Sequence, residues 1–306
     1  MSDLLETNAK KGCIMNVICL AISIAVLAGV AAGSAEADSR VAKKLWETAG
    51  FKTPESALYD AEAGVVYVSN VNGDATAKDG NGFISKVSPA GKVVAMEWVT
   101  GLDAPKGLAK VGGKLYVSDI DALAEIDVAS GKVVKRFDAK DAKFLNDVAA
   151  DAAGNVYVSD MAKNTIWRLS GGTFEVFLQD AKLEGPNGLL VEGDQLLVGA
   201  WGVMTDGFAT KVPGHLKSVS LADKTITSRG DGAPTGNLDG LEPFGDGTYL
   251  VSDWMAGKVL SMSEDGKARE LVDLGQGTAD LGYDPATKTA FIPQMKTGVL
   301  YGFKIE

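Results

Sequence analysis

Apolar runs recur in pairs along this chain, and each pair is entered through a short polar step. The entries read Pro54-Glu55-Ser56-Ala57, Pro105-Lys106-Gly107-Leu108, Leu145-Asn146-Asp147-Val148, Pro186-Asn187-Gly188-Leu189, Leu238-Asp239-Gly240-Leu241 and Ala279-Asp280-Leu281-Gly282. The second runs end in Val68-Ser69-Asn70, Val117-Ser118-Asp119, Val158-Ser159-Asp160, Val198-Gly199-Ala200, Val251-Ser252-Asp253 and Ile292-Pro293-Gln294. Asn146 and Asn187, like Asp239 and Asp280, lie about 41 residues apart, the length of one propeller blade. Between the runs stand Gly, Asp and Asn clusters such as Asp151-Ala152-Ala153-Gly154, which suit tight hairpin turns. A third and an outer run follow in most repeats, for example Thr165-Ile166-Trp167-Arg168-Leu169 and Phe174-Glu175-Val176-Phe177. The pattern predicts an all-β, six-bladed propeller of four-stranded antiparallel blades. The last repeat reaches Glu306 after its third strand, and residues 42–49 precede the first repeat with no other place to go. They are expected to supply the missing outer strand and so close the open edge.

A propeller brings equivalent positions of all blades to one axis. Glu55, Lys106, Asn146, Asn187, Asp239 and Asp280 should therefore form a ring. The start of a first strand and the end of a second share one rim. That face should also carry Asn70, Asp119, Asp160, Trp201, Asp253 and Gln294. Two long connections lie there, residues 71–81 and residues 202–213, the latter with Met204 and Phe208. Long loops on a rigid scaffold commonly hold function, and these could wall a pocket in which Trp201 and Phe208 are apolar.

The first 37 residues change the picture of where the chain works. Lys10 and Lys11 precede an apolar run that ends in Gly33-Ser34-Ala35-Glu36-Ala37, the pattern of a signal peptide cleaved after Ala37. Export to the periplasm or medium is expected for a domain of residues 38–306. The alternative is an uncleaved anchor, which would be the one membrane attachment. Both cysteines, Cys13 and Cys19, fall in this segment, so a chain cleaved after Ala37 would have no disulfide, thiolate metal site or cysteine nucleophile. Net charge is −10, with no basic stripe, which argues against nucleic acid. A small-molecule substrate and a monomeric protein are expected.

The ring has the chemistry of a hard-cation site. Glu55 and Asp239 offer carboxylates, and Asn146 and Asn187 offer amide oxygens, a mixture calcium accepts. Magnesium, manganese or zinc could use the same oxygens. Glu55, Asp239 and Asp280 against Lys106 leave two negative charges at the axis; like charges about 6 Å apart repel by about 3 kcal/mol at an effective dielectric of 20. A divalent cation would cancel that, and without one a carboxylate pKa should rise. Any one Asn or Asp at a strand start is ordinarily a turn residue; four at equivalent positions are a constellation. Lys106 leaves two arrangements open: at the rim beside Asp280, or with its ammonium filling the axis in place of a metal.

On Pro54-Glu55, Leu145-Asn146-Asp147, Gly185-Pro186-Asn187-Gly188 and Leu238-Asp239-Gly240, residues 42–306 resemble the calcium-dependent six-bladed propellers. These are regucalcin and the gluconolactonases, with diisopropyl fluorophosphatase and the paraoxonases more distant. The resemblance implies Glu55, Asn146, Asn187 and Asp239 as metal ligands and metal-assisted hydrolysis of a lactone, ester or organophosphate-like molecule. Asp239 is the first candidate for base or nucleophile, with Asp280 and Lys106 next for proton transfer or orientation. Two departures stand out. Blade two offers Lys106-Gly107 where regucalcin-like lactonases place arginine and asparagine contacts, and the one histidine, His215, lies beyond the long loop of blade four, so a Ser-His-Asp triad is not supported. The alternative is an exported binding propeller with a structural metal.

Overall fold

The structure, a computed structural model, describes residues 40–306. The signal-peptide expectation falls on residues 1–37, outside the described residues. Residues 40–306 form six four-stranded antiparallel sheets. The inner strands are Pro54–Asp60, Pro105–Val111, Leu145–Ala150, Pro186–Glu192, Leu238–Gly245 and Gly282–Asp284. In the first five blades each next strand pairs with the one before it. In blade six the order runs from Gly282–Asp284 through Thr289–Gln294 and Val299–Ile305 to Ala42–Ala49, so the N-terminal strand closes the circle as expected. Blade four carries an extra two-stranded ribbon, Gly202–Met204 with Thr210–Pro213, on its long connection. Apolar side chains of adjacent blades interleave, as Leu123 and Phe137 do with Val148 and Trp167, which buries the faces a single blade would leave wet.

One local device sets the axis. In blades one to five the register slips between the first and fourth residues of the entry, as at Pro54/Ala57 and Leu238/Leu241. A bulge re-aims side chains and leaves a backbone N–H outside the ladder. The recurrent serine supplies the missing partner. Ser69 Oγ accepts from Ser56 N, Ser159 Oγ from Asp147 N and Ser252 Oγ from Gly240 N, at 2.8–2.9 Å. Ser118 Oγ instead donates to the Asn146 carbonyl of the next blade. The Val-Ser-Asp run thus holds the bent entry of an inner strand.

Glycine below the bulge allows the inner strands to crowd. A Cβ on Gly188 would lie 1.8 Å from the Asp239 carbonyl oxygen, and one on Gly240 would lie 2.4 Å from Asp280 Oδ1. Neither strand could approach its neighbour with any larger residue there.

Candidate metal centre and pocket

The bulges deliver Glu55, Lys106, Asn146, Asn187 and Asp239 to the floor of one cavity of about 310 Å³. All five are buried. Asn146 Nδ2 donates to Asn187 Oδ1 at 2.5 Å, and Asn187 Nδ2 donates to Asp239 Oδ1 at 2.9 Å. Three of the four expected ligands are thus in direct contact. The fourth, Glu55, has a buried Oε2 with no hydrogen-bond partner. Burial, then Asp239 and Asp280, hold the Glu55 carboxyl well above the usual range; burial, then Asp280, do the same to Asp239.

Asp280 does not join this ring. Thr278 bridges Gln294 as Pro54 bridges Asn70 and Leu238 bridges Asp253, so Ala279 holds the ring position of blade six. Asp280 lies one step lower, paired with Ser56, whose Oγ donates to Asp280 Oδ2 at 2.5 Å. The equivalents in the other blades are Gly107, Asp147, Gly188 and Gly240. Asp147 accepts from Leu189 N across the blade boundary at 2.6 Å. Burial raises Asp280 to about 7 and holds Asp147 well above its usual range.

Lys106 takes neither expected arrangement in full. It is buried at the cavity edge, but its Nζ donates to the carbonyls of Ala75 at 3.1 Å and Ala104 at 2.9 Å, and it sits 4.6 Å from the Phe144 ring centre. Among the described residues it forms no ion pair with Asp280. Those carbonyls draw the ammonium toward the loop of residues 71–81 rather than onto the axis. Burial lowers its pKa to about 8, with Glu55 opposing.

The face residues divide by strand alternation. Trp201 and Phe208 line the cavity as expected. Asn70, Asp119, Asp160, Asp253 and Gln294 do not; they point away and clamp loop backbone. Asn70 Oδ1 accepts from Lys52 N, Asp119 from Asp103 and Ala104 N, and Asp160 from Lys143 and Phe144 N. Asp253 accepts from Ala256 N, and Gln294 Nε2 donates to the Gln276 carbonyl. Each clamp fixes the loop that leads into a strand entry, that of Asp253 through the Asn237 backbone, so these residues position the floor without touching what sits on it.

Sequence reading passed over Met161, Trp254 and Met295, each one step beyond a clamp. They face the cavity as Trp201 does, with Phe144, Phe208 and Met255 completing the wall. Val71 and Ile120, at the same step, pack with Ala104 behind Ala75. The signal was present as an apolar residue after each strand end. Trp201 Nε1 donates to the Phe208 carbonyl at 2.8 Å, and the Phe144 and Phe208 rings stand 4.8 Å apart, which seats the blade-four ribbon against the cavity. His215 lies elsewhere, 2.9 Å from Ser228 Oγ.

Residues 53–281 match the SMP-30/gluconolactonase/LRE-like region across most of the chain. The chain belongs to that family. No curated protein sequence matches it. Among solved structures it is similar to a gluconolactonase from Xanthomonas campestris, with 16% identity, a TM-score of 0.64, and coverage of 87% of this chain and 89% of that one. It is also similar to a putative gluconolactonase, with 17% identity, a TM-score of 0.60, and coverage of 88% and 93%. A catalytically inactive virginiamycin B lyase from Staphylococcus aureus, solved with quinupristin, shares 12% identity at a TM-score of 0.58 over 87% of this chain and 99% of that one. At these identities the likenesses show the fold; the floor and wall of this family member are its own residues.

Glu242 lies three residues beyond Asp239 on the same inner strand. Burial, aided by Asp280, raises its carboxyl to about 8. A raised native pKa means the folded chain binds a proton the unfolded chain has lost, so this group's contribution falls as pH rises from about 4.5 to 8. Glu242→Gln is expected to raise the melting temperature at pH 8 in chelator and to leave it unchanged at pH 4. An equal shift at both pH values would show that the carboxyl is not the cause.

Proposed function

We propose that this chain is a divalent-cation-dependent hydrolase that opens a small lactone, ester or organophosphate-like substrate at the propeller axis. One observation carries the reading: Glu55 Oε2 is buried without a partner on the same cavity floor as Asp239, Asn187 and Asn146. A buried carboxylate is costly unless paired or coordinated to a metal. The residues present fit such a cation. Among the described residues no three His, Cys, Asp or Glu side chains gather as a metal cluster. The donor set here is two carboxylates and two amides, all oxygen, which suits calcium ahead of magnesium, manganese or zinc. Glu55, Asn146, Asn187 and Asp239 would hold the cation, which when bound supplies Lewis-acid polarisation of a carbonyl or phosphoryl oxygen.

The chain's own groups supply the rest. Asn187 fixes Asp239 Oδ1, which leaves Oδ2 as the atom we assign to attack or to proton acceptance. Lys106, held by two carbonyls, adds a fixed positive charge at the edge of the floor that orients an electron-rich group. Asp280, one step lower, acts through Glu55 and Asp239 rather than on substrate. The leader pattern of residues 1–37 supports an exported protein, periplasmic or secreted; action as a monomer on a small molecule is part of the same proposal.

The test assays purified protein on lactones, aryl esters and an organophosphate, before and after chelation. Turnover lost to chelator and restored by calcium is expected. Calcium-dependent thermal stabilisation with no turnover on any of them would make the chain a binding propeller with a structural cation.

A further inference from the structure

We infer that the substrate carries a flat apolar or aromatic ring system, not a polyhydroxylated one; this rests on the proposed carbonyl-directed chemistry but concerns what the pocket binds. Polarity in the cavity is confined to the floor. Above it stand Phe144, Met161, Trp201, Phe208, Trp254 and Met295. Their side chains hold only two N–H donors, and both are engaged. Trp201 Nε1 donates to the Phe208 carbonyl, and Trp254 Nε1 donates to Met295 Sδ at 3.0 Å. The Met161 sulfur likewise accepts from Asn146 Nδ2 at 2.9 Å.

A sugar-like lactone would carry several hydroxyls into this wall, and none would find a partner. Each hydroxyl desolvated without a hydrogen bond costs about 1–3 kcal/mol by protein mutational measures. A ring system meets the opposite situation. The Trp201 and Trp254 rings stand 6.1 Å apart at 52°, and thioethers fill the gaps around them. Aromatic faces and methionine sulfur favour a polarisable ring on their surface. The substrate's single polar group would then point to the floor, where every charged side chain of the cavity lies.

Phe208 is the accessible member of the wall. It is 44% exposed, sits between the two ribbon strands, and is anchored from below by Trp201. It can change without disturbing the core, which makes it the variant of choice beside Trp254.

The experiment uses calorimetry with the full propeller in calcium and two probes that cannot be hydrolysed: 2-tetralone, an aromatic ring ketone, and glucitol, a polyol. Tetralone is expected to bind and glucitol to give no heat. Phe208→Asn and Trp254→Gln should each weaken tetralone binding by about tenfold or more, the lower end of the range for losing apolar contact in a pocket. Because Trp254→Gln removes an indole from a partly buried site, Phe208→Asn decides if that variant misfolds. Glucitol binding without tetralone binding would overturn the inference, and so would tetralone binding indifferent to Phe208→Asn. Kinetics separate this from the hydrolase reading. Dihydrocoumarin turnover far above glucono-δ-lactone turnover supports both. Glucono-δ-lactone turnover without tetralone binding overturns the inference alone. Tetralone binding without turnover of any ester or lactone leaves the inference standing and removes the hydrolase.

Discussion

Glu55→Gln and Asp239→Asn are each expected to reduce turnover by at least about a hundredfold, the scale for removing one preorganised charge-stabilising group. They should also make the chelated protein more stable, not less. Both effects come from the same geometry. Glu55 and Asp239 share a buried floor, and each carboxyl is held above its usual range by burial first and by neighbouring carboxyls second. Without a cation, an ionised pair there is repulsive, so an amide in place of either removes a cost. With a cation, that pair supplies the only negative charge among the four donors. Calcium affinity should therefore fall steeply in both variants while the metal-free melting temperature rises. This opposition of function and stability is the expected mark of a site kept for chemistry. The two substitutions should be strongly non-additive, because either alone breaks one shared site. Asn187→Ala gives a graded control, since it loses a neutral donor and frees Asp239 Oδ1. Calorimetry showing unaltered calcium affinity, or melting curves showing both variants destabilised in chelator, would remove the metal assignment.

Blade organisation was legible because each blade repeats both its apolar runs and its bent entry. The polar second residue of that entry stands out among apolar neighbours, and five of the six proposed ring members follow from it. Asp280 shows where that signal ends. Blade three carries polar residues at both levels, Asn146 above and Asp147 below, so the pattern alone does not say which level a single aspartate occupies. The bridge of Thr278 to Gln294 does, and no sequence spacing reports it. The end of the second strand is similar. Asn70, Asp119 and Asp160 have the chemistry of contact residues, but alternation turns them toward loop backbone and turns the next side chain inward. Met161, Trp254 and Met295 look like ordinary core residues along the chain. Only the circular closure of six blades puts them around one cavity. Trp201 was found because blade four ends its strand on Ala200 rather than on a clamp.

Removing residues 38–49 is expected to unfold the propeller or drive it to aggregate, whereas residues 38–306 should fold. The closure strand Ala42–Ala49 pairs with Val299–Ile305 over its whole length, and Val41 and Glu306 extend the pairing by exchanging N–H and carbonyl groups. Trp46 adds the side-chain part of the seam. Its Nε1 donates to the Pro89 carbonyl at 3.1 Å, and Thr48 Oγ1 donates to the Gly91 carbonyl at 2.6 Å. Both contacts reach the third hairpin of blade one, so this strand ties the last blade to the first. A Cβ on Gly91 or Gly302 would meet the indole within 2.6 Å, which explains glycine at both places. On the other side, the Arg40 guanidinium lies 4.4 Å from the Phe244 ring centre and pairs with Asp246 at 2.8 Å, which reaches blade five. Without residues 38–49, Val299–Ile305 becomes an open edge flanked by an uncovered Phe291. Truncating a fully buried Trp typically costs about 3–5 kcal/mol, so the half-buried Trp46 should cost less, and a whole domain holds only about 5–15 kcal/mol. Losing the indole, a full strand ladder and an edge cover together should exceed that reserve. Trp46→Ala offers the milder version: a folded protein with a clearly lower melting temperature. A truncated chain that stays monomeric and melts where residues 38–306 melt would show that the seam does not hold the ring closed.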